Sequence, residues 1–169
     1  MTLNQVKLYL KQWFASSPFI NTVEVSSKSD YNDKRDVNYP FAHVEYVNNS
    51  TSSVYNVYNF VITIADIQNN SLDHRNVDEI HNDCNLLAQD FIDFHSINNE
   101  FFEMDENVMI NPFDDQNTDR TAGVTFAIRL SVFRTKNNCI LPKISSGIIL
   151  TSDLGDDLTD DKDNNIVLN

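Results

Sequence analysis

Four histidines, two cysteines and 25 acidic side chains are the groups in this chain with chemistry to offer. A histidine metal centre needs ligand spacing, as in HExxH or beside a cysteine pair. His43, His74, His81 and His95 show neither arrangement. His74 and His81 fall close to one another around the start of a helical pattern, and a solvated pair is the ordinary cause of that spacing. Glu103 and Asp105 share one face of an extended segment, the placement of an acid/base pair. A charged strand edge facing water gives the same spacing. The run Asp153 to Asp163 invites a calcium loop, but a loop begun at Asp153 puts Leu158 where the turn glycine belongs and Asn164 where the bidentate glutamate belongs. With glycine only at 123, 147 and 155, neither a P-loop nor a dinucleotide fingerprint can be written, and there is no nucleophile elbow. No catalytic residue, cofactor or metal is therefore expected.

The elements that would position any site are clearer. Val124, Phe126, Ile128, Leu130 and Val132 alternate with Thr125, Ala127, Arg129 and Ser131, the period of a strand with one buried face. Leu3, Val6, Leu10 and Trp13 recur at helical spacing, with Thr2 and Gln5 as a capping box and Trp13 expected where the helix meets the sheet. Val77, Ile80, Cys84, Leu87, Phe91 and Phe94 mark a second, longer helix over 77–95, capped by Asn76 with Glu79 and packed across the sheet. Strands are expected at 20–25, 41–47, 54–67, 101–110 and 122–133, with a polar hairpin tip at 48–53. In 54–67 both faces are partly apolar, as in a strand covered on both sides or one that meets a partner. Ile80, Leu87, Phe91, Phe126, Ile128 and Leu130 should be buried together. The fold class is α+β: a mainly antiparallel sheet of about five strands, one long helix across it and an N-terminal helix.

Length and charge set the outer bounds. The chain has 169 residues, enough for one domain over 1–142 and an acidic C-terminal extension over 143–169. A domain of that size buries enough surface to need no staple. Cys84 and Cys139 are expected to be free thiols in a protein that folds in a cytoplasm, since Met1-Thr2-Leu3 opens no apolar leader and no run reaches membrane-span length. The net charge of −13 repels nucleic-acid phosphate, and Lys34-Arg35 and Arg134-Lys136 are the only local basic pairs. Acidity of this kind serves solubility or a basic partner. The polar stretches 26–40 and 111–121 carry no periodicity; the first is either a surface loop or an arm that reaches a neighbour.

The element order, the run Asp119-Arg120-Thr121-Ala122-Gly123 leading into the last alternating strand, and Asn138-Cys139 after it resemble small neck and tail proteins of tailed phages. The likeness is to the tail-terminator or tail-completion type found in phages of gut Bacteroides-like hosts, including crAss-like phages, and covers about residues 1–142. That resemblance implies a structural virion protein assembled in the bacterial cytoplasm, a homo-oligomeric head-to-tail connector ring. It also implies neighbours on the portal and tail sides, DNA passing through the lumen without specific binding, and no membrane. Ring contacts are heterologous, so two dissimilar surfaces are required. Lys34, Arg35, Tyr55, Val57, Arg120, Arg129, Asp156, Asp157, Asp160 and Asp161 are the candidate subunit-interface residues. A monomeric or dimeric acidic inhibitor, mimicking DNA or binding a basic partner, would use the same charge.

Overall fold

A computed structural model describes residues 1–27, 37–69, 76–97, 101–115 and 120–134, together with the backbone of 148–149 and 167–168. The chain divides into two compact units, Met1–Arg134 and Thr135–Asn169. The second contributes one described feature, the antiparallel pair of β7 (Ile148–Ile149) and β8 (Val167–Leu168).

Among the described residues the first unit is α+β, with two helices and a mixed six-stranded sheet. Its elements run α1 (Leu3–Ala15), β1 (Thr22–Val25), β2 (Phe41–Thr51), β3 (Tyr55–Ile67), α2 (Val77–Ile97), β4 (Glu103–Met104), β5 (Ile110–Asp115) and β6 (Thr121–Phe133). The strand order is β1-β2-β3-β6, and β4 and β5 share the far side of β6. Among the described strands, β1 and β2 alone run parallel. A strand pair of that sense needs a long connection, and residues 26–40 supply it.

Alternation decides which side is core. Tyr58, Phe60, Ile62 and Ile64 of β3 stand in register with Leu130, Ile128, Phe126 and Val124 of β6, and all eight are buried. Both helices lie over this side, α1 through Val6, Leu10 and Phe14, and α2 through Ile80, Cys84, Ala88 and Phe91. Thr2 and Gln5 close the capping box on α1, each side chain accepting the other's backbone N–H.

Several elements depart from the sequence expectation. The strand expected over 101–110 is reduced to β4 and the first residue of β5, which runs on into the supposed polar loop 111–121. An edge strand needs backbone partners on one side only, so Asn111, Pro112 and Asp114 are tolerated there without any apolar rhythm. β2 runs on to Thr51 through a bulge between Tyr46 and Asn48, which leaves a tip of residues 52–54 instead of 48–53. On α2 the buried line is 80-84-88-91-95: Leu87 is only partly buried and Phe94 is 60% exposed, while Ala88 and His95 take the core positions. A straight helix with 3.6 residues per turn drifts off a strict 3.5 repeat, and over five turns the drift exchanges 87 and 94 for 88 and 95. Trp13 packs against the core and meets α2 there, edge-on to Phe91 at 4.9 Å between ring centres. The Asn76 side chain accepts the Asn69 N–H, so it ties the incoming loop to the helix start.

Candidate functional site

Among the described residues both helices lie on one side of the central sheet, and no described helix lies on the other. Across β3 and β6 it reads Val57–Ser131, Asn59–Arg129, Val61–Ala127, Thr63–Thr125 and Ala65–Gly123. The residues are small or polar, and the face is closed in two places. At one end Phe41 and His43 are buried, and the His43 ring meets the Ser26 hydroxyl at 3.3 Å. At Gly123 the strands approach so closely that a Cβ would lie 2.0 Å from the Ile64 carbonyl oxygen, and only glycine fits.

Between these closures and the hairpin tip the face is open. A groove of about 240 Å³ has Asn59, Val61, Ala127 and Arg129 as its floor, with Val47 on one rim and Asp105, Asn107 and Val108 on the other. Val47 reaches that rim because the β2 bulge turns it out, and it is 51% exposed. Beyond the groove Tyr55 and Phe133 meet edge-on at 5.5 Å, and the Tyr55 hydroxyl donates to Glu103 Oε1 at 3.4 Å. Arg134 fastens the hairpin tip, donating from its backbone to the Val54 carbonyl and from its guanidinium to the Ser52 carbonyl. This end therefore combines exposed apolar side chains with charges of both signs.

The candidate interface residues fall on this face only in part. Arg129 is exposed at the groove, Tyr55 is half-buried at the tip, and Val57 is buried between them. Arg120 is exposed at the entry to β6 with φ of 45°, and its carbonyl accepts the Gln68 N–H. Lys34, Arg35, Asp156, Asp157, Asp160 and Asp161 lie outside the described residues. Glu103 and Asp105 are separated in role: Glu103 meets Tyr55, whereas Asp105 lines the groove. His81 bonds the Phe113 carbonyl at 2.8 Å and so joins α2 to β5. His74 lies outside the described residues.

The feature that residue spacing did not announce is the surroundings of His95, which is 1% exposed among Tyr9, Trp13, Phe91, Phe94 and Phe102. Its Nδ1 faces the Phe91 carbonyl at 2.7 Å, an acceptor only, so Nδ1 carries the proton. Nε2 is then free to accept from the Tyr9 hydroxyl at 3.2 Å. Burial holds the ring below the ordinary histidine pKa, against the opposing pull of the Phe91 carbonyl. The arrangement ties α1 to the end of α2. The one signal for it in the sequence is that 95 continues the four-residue step from 91. Cys84 is equally inert: burial pushes its thiol up to about 12, with the carboxylates of Asp66 and Asp83 adding to the rise.

Among the described residues no cluster of three or more His, Cys, Asp or Glu side chains can hold a metal ion. Among them also, no helix is long and apolar enough to cross a membrane. No protein-family model matches the chain, and neither does any curated protein.

Proposed function

We propose that this chain is a structural subunit of the tail-terminator or tail-completion kind, forming a homo-oligomeric ring in the neck or tail of a tailed phage. The observation that carries the reading is the two-sidedness of the first unit. Among the described residues, helices cover one side of the sheet, and the other side carries a groove and exposed Val47, Arg129 and Phe133. A ring closes through heterologous contacts, which need two unlike surfaces on each copy.

In this reading the role is assembly, not catalysis, and no cofactor takes part. The open face and hairpin tip meet the adjacent copy, and the acidic extension over 143–169 reaches a neighbour on the portal or tail side. DNA passes through the lumen unbound, since a chain of net charge −13 offers phosphate no attractive surface. The protein then resides in the virion after assembly in the host cytoplasm.

Light scattering on the chromatographed full-length chain, with electron microscopy of the same fraction, tests this. Annular particles of one defined multiple of the chain mass are expected, and Arg129→Glu should reduce them. A monomer at every concentration, or a two-fold dimer and nothing larger, overturns the reading and favours an acidic single-domain inhibitor.

A further inference from the structure

We propose that the outward stripe of α2 is a docking surface for a basic amphipathic segment of a second protein. The stripe consists of Leu86, Asp90 and Phe94, successive at four-residue intervals, flanked by Asp83 and Asp93. Leu86 is 51% and Phe94 60% exposed, although the core line of α2 passes through other residues. The two apolar side chains stand about 12 Å apart along the helix, at 1.5 Å per residue. Asp83, Asp90 and Asp93 are exposed beside them, and Glu79 extends the acidic row toward the helix start. No lysine or arginine occurs anywhere on α2.

This combination selects the occupant. Two exposed apolar anchors bounded by carboxylates fit a segment that presents apolar side chains on one stripe and Lys or Arg on its flanks. A second copy of this chain is disfavoured. Two such stripes would set like charges together, and the open sheet face answers Arg129 and Arg134 with Glu103 and Asp105. Nucleic acid is excluded by charge of the same sign. The proposal concerns a different surface from the ring contacts and holds whether or not the ring forms.

The test uses the full chain and a labelled synthetic helix with two leucines on one face and lysines beside them. A peptide of the same composition, scrambled to remove the apolar stripe, serves as comparison. Fluorescence anisotropy at physiological salt should show the patterned peptide binding at least tenfold tighter than the scrambled one. Leu86→Ser and Phe94→Ser should each remove about tenfold in affinity, the order for loss of an apolar anchor. Both positions are exposed, so melting curves should stay close to wild type; Leu86→Ser, outside the contact of Phe94 with Trp13, decides the matter if Phe94→Ser melts early. Equal binding of both peptides, or no effect of Leu86→Ser, reduces the attraction to general acidity and overturns the proposal. Self-association abolished by Leu86→Ser also overturns it, because the occupant would then be a second copy.

Discussion

Replacing Gly123 with alanine adds one methyl group and should damage this fold well beyond that size. Gly123 stands opposite Ala65 in the β3–β6 ladder and opposite Phe113 in the β5–β6 ladder, so strands bound it on both sides. A Cβ there would lie 2.0 Å from the Ile64 oxygen, 2.7 Å from the Ala65 Cα and 2.9 Å from the Ile64 carbonyl carbon. All three are backbone atoms, so no rotamer change relieves the clash. The central strands must part to admit the Cβ, and the ladder bonds beside Gly123 lengthen with them. Overpacking with strain of this kind costs about 1–3 kcal/mol, and displacement of backbone puts this case at about 3 kcal/mol. With a melting shift of about 2–4 °C per kcal/mol for a chain of this size, Gly123→Ala should melt about 6–12 °C below wild type. Calorimetry measures that, and urea unfolding should show a lower midpoint at unchanged slope. A second substitution sharpens the test. Because the obstruction is main chain, Ala65→Gly should not restore stability to Gly123→Ala. Restoration, or a melting shift below about 2 °C for the single variant, would refute the reasoning.

Two further expectations concern the buried titratable groups. In a Cys139→Ser background, Cys84 should resist thiol-reactive dye at pH 8 and label only as fast as the protein opens, because burial holds the thiol near 12; rapid stoichiometric labelling of the folded protein would contradict that. His95 is held neutral by burial, with a folded pKa below the ordinary 6.5. Its contribution is therefore fully present above pH 6.5 and is lost as pH falls through 6.5 toward the lowered folded value, by at most about 1.4 kcal/mol per pH unit. The stability difference between wild type and His95→Gln should shrink between pH 7.5 and pH 5.5 in urea titrations, and a constant or growing difference would sink the assignment.

The legible parts of this fold were those whose residues face a core on one side. β6 could be read from Val124 to Val132 because every second residue is buried under helices. α1 could be read from its cap, and α2 from a long apolar line. Legibility failed where partners, not periodicity, define the element. β5 exists because β6 offers it backbone groups, and Asn111-Pro112-Phe113-Asp114 carries no signal of that offer. The last turn of β2 was hidden for the same reason, since Asn48, Asn49, Ser50 and Thr51 pair with β3 while facing water. On α2 the apolar count was right but the phase was not. Phe94 is the more hydrophobic side chain, yet position 95 points inward, and the histidine there is accommodated by two hydrogen bonds. The candidate interface suffered from a related blindness. Tyr55 and Val57 are two apart and share a face, but Val57 is buried while Tyr55 is half-buried at the hairpin end.

Charge separates the two exposed surfaces in a way that burial alone does not. The open sheet face sets Arg129 and Arg134 among Glu103 and Asp105, so a copy of itself or of its neighbour can be turned to match it. The α2 stripe has one sign only and can be matched only by a partner of the other sign. These conditions predict opposite responses to salt. A chain of net charge −13 repels its own copies, and raising ionic strength shortens the Debye length from about 10 Å at 0.1 M to about 3 Å at 1 M. If copies assemble through the sheet face as proposed, screening should therefore favour assembly by relieving the repulsion between like-charged copies. The same screening should weaken docking of a basic segment on α2, which depends on attraction between unlike charges. Light scattering and peptide anisotropy measured across one salt series read both at once. If the two move together, a single surface is serving both contacts, and the division of labour between the faces of this sheet is wrong.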